Sequence, residues 1–159
     1  MYTVHLAKEL FKFSCSHFTI LSPEHAERLH GHNYQVRVDI SVAKLDPTLG
    51  FAFDFNSVKP LIRKMCDELD ERILLPSLSP YLKIKSSVKQ IEASFGEKNY
   101  AFPAEDTLIL PLSNITSEEL ARHICERLLS EMTALPHWTS VAVQVEETLG
   151  QSVTYRKQR

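Results

Sequence analysis

The 159-residue chain is expected to fold as an α+β domain in which a four-stranded antiparallel sheet carries two helices on one face. Three observations lead there. Residues 33–42 alternate strictly, with Tyr34, Val36, Val38, Ile40 and Val42 on one side and Asn33, Gln35, Arg37, Asp39 and Ser41 on the other. That is the pattern of a half-buried antiparallel strand. Val141, Val143 and Val145 repeat it near the C-terminus. Two segments, one over 56–70 and one beginning at Thr116, follow the helical period instead, and grouped strands around grouped helices indicate α+β architecture.

Taken in order, Phe11, Phe13, Cys15 and His17 share one strand phase while Val4 and Leu6 occupy the other, so the first strand is expected to bulge near Leu10. The strand after it ends at KLDPTLG (44–50), a turn rich in Asp, Pro and Gly. In residues 56–70, Val58, Leu61, Ile62, Met65, Cys66 and Leu69 line one helical face, and Pro60 is tolerated because it lies in the first turn. Ile91, Ala93 and Phe95 alternate before GEKN, and Tyr100 and Phe102 after it, which predicts a β-hairpin insertion within 76–105. Thr116 and Glu119 have capping-box spacing, and Leu120, Ile124, Leu128 and Met132 follow on one face. The strands TSVAVQVEET and SVTYR close the chain through a Leu-Gly-Gln turn. With no repeat, low-complexity tract or linker, residues 1–159 read as one domain.

Composition narrows the function classes. Hydrophobic residues make up 43%, charged residues 24%, and the formal net charge is −2, which is ordinary globular usage. Basic and acidic residues are interspersed, leaving no electrostatic footprint for nucleic acid and no Lys/Arg tract for an anionic membrane. No apolar run approaches 18 residues and the N-terminus lacks a signal pattern, so a soluble cytoplasmic protein is expected. Cys15, Cys66 and Cys125 are odd in number and widely spaced, as reduced thiols are.

The chemistry concentrates around LHGHNY (29–34). His30 and His32, two apart on a strand, point to the same face, and Gly31 leaves the segment between them sterically free. His17 has the phase to supply a third nitrogen if the two strands pair. Three imidazoles without a cysteine cluster describe a zinc site that keeps an open position; the competing reading is a polar strand end. His5, His25, His123 and His137 read as ordinary. Glu147 continues the apolar row of Val141, Val143 and Val145. It is either the strand's wet end or a carboxylate that accepts two parallel N–H bonds from a flat heterocycle.

Together FSCSHF (13–18), LHGHNYQVRV (29–38), FDFNSVK (53–59), LDE (69–71), NITSEELA (114–121) and VEETLGQSVTYR (145–156) resemble the 6-pyruvoyltetrahydropterin synthase family, which includes the 6-carboxytetrahydropterin synthases of queuosine biosynthesis. The resemblance implies a tunnelling fold (T-fold) whose sheet joins those of other subunits into an oligomeric barrel, a trimer or hexamer with active sites at subunit interfaces. It implies a pterin substrate, 7,8-dihydroneopterin triphosphate, with zinc on His17, His30 and His32 and the pterin ring anchored by Glu147.

The chain departs from the family at the catalytic base. HAERLHGH lacks the usual cysteine before the histidine pair, and although Asp70 is retained, Glu71 stands where the family usually has histidine. Glu27 resembles the third-type members, whose ExxHGH glutamate replaces the cysteine and whose product is the folate precursor 6-hydroxymethyl-7,8-dihydropterin. Glu27 and Asp70 are therefore the expected catalytic residues, with Glu27 able to act as general base if burial raises its pKa towards neutrality; Cys15 is the other candidate base, and the alternative for Asp70 and Glu71 is a helix-end charge pair. The resemblance leaves two alternatives: a 6-carboxytetrahydropterin synthase with a relocated base, and a non-catalytic pterin- and zinc-binding paralogue. Lys44, Lys59, Arg63 and Arg72 are candidate triphosphate contacts.

Overall fold

The computed structural model describes residues 1–132 and 137–159. Along the chain run β1 (Tyr2–Leu6), β2 (Lys12–His17), β3 (His30–Val42), a 3-10 turn (Phe55–Ser57), α1 (Lys59–Leu69) and β4 (Arg72–Pro76). They are followed by β5 (Lys83–Ser86), β6 (Gln90–Phe95), β7 (Lys98–Pro103), β8 (Thr107–Leu110), α2 (Ser117–Glu131), β9 (Trp138–Thr148) and β10 (Gln151–Gln158). The main sheet has the order β10-β9-β3-β2-β4-β8, with β1 also paired to β3.

The antiparallel strands expected from alternation are present, and the expected bulge is a full break. Leu6 pairs with Val38, whereas Lys12 pairs with Gln35, so residues 7–11 stand against only Val36 and Arg37. The Phe11 N–H donates to the Lys8 carbonyl at 2.9 Å and the Val36 N–H to the Phe11 carbonyl at 2.7 Å. An odd excess of residues inverts the strand phase, which is why Leu6 and Phe13 both reach the core.

Two features go beyond the expected four-stranded sheet. β4 joins β2 and β8 joins β4 in parallel, making the sheet mixed. RILLP and TLIL are short apolar runs without alternation, so periodicity could not separate them from helix or loop. The insertion is a three-stranded sheet, β5-β6-β7: the expected hairpin is β6–β7, closed at Gly96, whose φ of 56° suits glycine, and β5 adds a third strand.

The core lies between the sheet and the helices. α1 buries Ile62, Met65, Cys66 and Leu69, with Pro60 in its first turn; α2 buries Leu120, Ala121, Ile124, Cys125 and Leu128. These join the inward rows of β3 and β9 in one cluster. A second cluster, including Phe18, Leu75, Ile91 and Phe95, lies under the insertion. All three cysteines are free and buried. Among the described residues, no helix is long and apolar enough to cross a membrane.

Candidate metal centre

Pairing of β2 with β3 builds the site. Its register sets His17 opposite His30, Cys15 opposite His32 and Phe13 opposite Tyr34, and residues directly opposite share a sheet face. Ring centroids of His17, His30 and His32 therefore lie 4.8 to 5.4 Å apart, with one ligand nitrogen from each within 4.8 Å of the others. A Cβ at Gly31 would approach the Cys15 carbonyl oxygen at 3.2 Å, so a side chain between the two histidines would press on the neighbouring strand.

Two of the rings have a fixed tautomer. His17, 1% exposed, places Nδ1 at 3.0 Å from the Ile115 carbonyl, and His30 places Nδ1 at 2.7 Å from the Arg28 carbonyl. A carbonyl only accepts, so each Nδ1 carries the hydrogen and each Nε2 keeps its lone pair for the site. Backbone carbonyls of this kind commonly orient metal-binding histidines. Burial lowers the His17 pKa; the bond to Ile115 opposes this, while His30 and His32 reinforce it. Neutral imidazoles with free lone pairs are what a metal ion requires, and these three could hold one.

Glu147 closes the opposite side. It lies one residue beyond the Gln35–Glu146 pair of β3 and β9, with Oε1 at 3.2 Å from His32 Nε2 and 3.8 Å from His17 Nε2. Oε1 also accepts from the Tyr34 hydroxyl at 3.0 Å, whose oxygen is 3.1 Å from His17 Nε2. Tyr34 is fully buried and stacks on Phe13 at 4.9 Å. Burial, then the neighbouring Cys15 and Glu147, pushes its pKa up, so the phenol stays protonated. In the sequence Tyr34 belongs to the apolar row; the signal of a further role is a phenol two residues beyond His32 on the same face, whose buried hydroxyl requires a partner.

The residues expected to be catalytic separate. Glu27 reaches the cluster, with Oε2 at 3.9 Å from His30 Nε2 while accepting from the Thr19 N–H at 3.2 Å. Its pKa is lowered, so the condition of a raised pKa is not met: burial pushes it up, but the Thr19 bonds and the fields of His30 and His17 outweigh that on a side chain 40% exposed. Asp70 instead caps the end of α1 and accepts from the Ser14 N–H at 2.6 Å. Glu71 beside it adopts φ 56° and donates its N–H to the Ser14 carbonyl. Among the described residues, no bond links Asp70 to a histidine. Cys15 is buried, and burial with Glu147 and Asp70 pushes its thiol up to about 12, so it remains a packed thiol. Of the basic candidates, Lys59 bonds Asn56, Arg63 pairs with Asp67, Arg72 donates to the Glu105 carbonyl, and Lys44 follows the far end of β3.

Residues 5–158 match the family model described as 6-pyruvoyl tetrahydropterin synthase. The chain belongs to that family. A Methanocaldococcus jannaschii protein provisionally named a 6-carboxy-5,6,7,8-tetrahydropterin synthase is 28% identical over 150 residues, covering 92% of this chain and 90% of its own. A Rickettsia conorii 6-carboxy-5,6,7,8-tetrahydropterin synthase is 26% identical over 138 residues, covering 86% and 89%. The crystal structure of the Plasmodium vivax 6-pyruvoyl tetrahydropterin synthase superposes with a TM-score of 0.92 at 27% identity, over 99% of this chain and 98% of its own. Two further Plasmodium vivax structures, with the same TM-score, are described as catalytic-residue mutants in which a glutamate is replaced by alanine or cysteine. These neighbours establish the T-fold for this family member.

Proposed function

We propose that the chain is a zinc-dependent lyase that cleaves the side chain of 7,8-dihydroneopterin triphosphate in retro-aldol fashion, giving 6-hydroxymethyl-7,8-dihydropterin. The observation that carries this reading is the Glu27 carboxylate beside His30 in a family member without the usual cysteine. A glutamate described as catalytic in the Plasmodium vivax protein supports it.

His17, His30 and His32 would hold the zinc, which supplies Lewis acidity towards the substrate hydroxyls. Glu147 anchors the ring: Oε1 is engaged by Tyr34, which leaves Oε2 as the acceptor for the ring's N–H donors. Glu27, held in its ionised form, takes a proton from the hydroxyl on the far carbon of the C–C bond to be broken. That carbon becomes an aldehyde and leaves with the triphosphate. The electron pair of the broken C–C bond passes into the ring, and a proton returns to the carbon that remains attached. A carboxylate with a lowered pKa is a modest base, so its positioning carries much of the rate. Asp70 supports the site through β2, by holding the Ser14 backbone next to Cys15 and His17.

The reading extends to assembly: a homo-oligomeric barrel of single-domain subunits, trimer or hexamer, in the cytoplasm, with active sites between subunits. The edge strands β10 and β8 offer unpaired backbone groups for joining neighbouring sheets. A second reading, 6-carboxy-5,6,7,8-tetrahydropterin synthase, is favoured by the names of the Methanocaldococcus and Rickettsia relatives.

Zinc-loaded protein incubated with 7,8-dihydroneopterin triphosphate, with product masses measured against a chelated control, tests both readings. The hydroxymethyl product is expected, and Glu27→Gln should slow its formation at least about 100-fold. A carboxy product supports the second reading; bound pterin without turnover identifies a binding protein.

A further inference from the structure

The segment between β2 and β3 that carries Glu27 is held from three directions. Within it, Ile20 bridges Ala26, and the Glu27 N–H donates to the Thr19 carbonyl at 2.9 Å. From the approach to α2, Asn114 brackets Ile20, with Oδ1 accepting from its N–H at 3.1 Å and Nδ2 donating to its carbonyl at 2.8 Å. The third support comes from the insertion. Lys98, at the start of β7, donates from Nζ to the Ala26 carbonyl at 2.9 Å, and Tyr100 stacks on Phe18 at 5.2 Å. Phe18, Ile20 and Ala26 are buried in one cluster with Ile91, Ala93, Phe95 and Phe102 of the insertion.

The Lys98 bond falls on the peptide unit that joins Ala26 to Glu27. Its carbonyl end is held by the Lys98 ammonium and its N–H end by the Thr19 carbonyl. A peptide unit is planar and stiff, so bonds at both ends hold the plane, and the plane together with the φ of Glu27 sets where its Cα–Cβ bond leaves the backbone. Without Lys98 the plane keeps one fixed end and can tilt. We propose that Lys98 is a positioning residue: through the Ala26 carbonyl it holds the Glu27 carboxylate beside His30, making the three-stranded insertion the support that aims the base. This rests on the assignment of Glu27 as the base.

The test combines two measurements on full-length, zinc-loaded protein. The first compares turnover of 7,8-dihydroneopterin triphosphate for the parent, Lys98→Met and Lys98→Arg, with Lys98→Met repeated in a Glu27→Ala background. Met keeps the apolar stem and Arg keeps a cationic donor. Lys98→Met is expected to lower kcat about ten-fold, since small misplacements of a reacting group are costly, with KM unchanged; Arg should restore most of the rate. In the Glu27→Ala background Lys98→Met should cause no further loss. The second measurement is amide hydrogen exchange over residues 18–29, expected to quicken about ten-fold in Lys98→Met, as a locally freed segment does. Parental kcat, an equal loss in the Glu27→Ala background, or unchanged exchange would each overturn the proposal. Should Glu27→Ala itself turn over at the parental rate, the assignment of Glu27 as base fails, and exchange alone then decides whether Lys98 holds this peptide.

Discussion

At the scale of single residues, the candidate site was legible wherever strand geometry is simple. His30 and His32 had to share a face because they are two apart, and His17 joins them because its strand pairs with theirs in register. Tyr34 was not legible as a site residue, because a phenol in an apolar row has the same pattern whether its hydroxyl is used or not. The role of Asp70 was also beyond reach, since its partner is the Ser14 backbone, a contact that only tertiary structure creates. His123 carries a testable consequence. Its Nε2 is buried without a partner among the described residues. Burial, then Arg127 and Arg122 on its own helix, lowers its pKa, against the opposing fields of Glu126 and of Glu68 on α1. In the unfolded chain histidine binds a proton near pH 6.5, whereas folded His123 does so only at lower pH. Unfolding thus takes up a proton in that window, and stability present above about 6.5 is lost progressively as pH falls from there towards the lower folded value. Urea unfolding from pH 8 to pH 5 is expected to show this loss, and a smaller one in His123→Leu at the same metal loading; equal slopes would remove His123 as the cause.

At the scale of elements, long segments with a clear period were readable and short ones were not. β3 alternates over ten residues, and both helices show one apolar face. β4 and β8, of five and four residues, are apolar without alternation, and their parallel pairing depends on where the rest of the sheet sits. The N-terminus of α2 followed its capping signal in part: the Thr116 hydroxyl accepts from the Glu119 N–H at 3.3 Å, while the Glu119 carboxylate turns to Arg122 at 2.6 Å. Thr116→Ala is expected to cost about 1 kcal/mol, read as a lower urea midpoint at unchanged slope. Glu119→Gln, which keeps the backbone N–H, should cost less; a larger loss for Glu119→Gln would show that the Arg122 pair, not the cap, holds this end.

At the scale of the whole molecule, the three histidines are carried by strands already locked into the sheet, with His17 and His30 further oriented by backbone carbonyls. The fold is therefore expected to form without a metal. Chelation is expected to abolish turnover and leave the far-ultraviolet circular dichroism unchanged. Melting temperature should fall only by the linkage set by metal concentration and affinity. Loss of the β-sheet signal on chelation would contradict this and make the metal structural.

The placement of β9 between β3 and β10 reaches back to how the protein is made. One flank of β3 is sealed by a strand from residues 138–148, and Glu147 is more than a hundred residues from His17 in the chain. On the ribosome, β1 to β3 must wait with one flank of β3 unsealed until residues 138–148 emerge. Closure of such distant pairs is slow, so the imidazoles and their carboxylate neighbour meet only once residue 147 has left the ribosome.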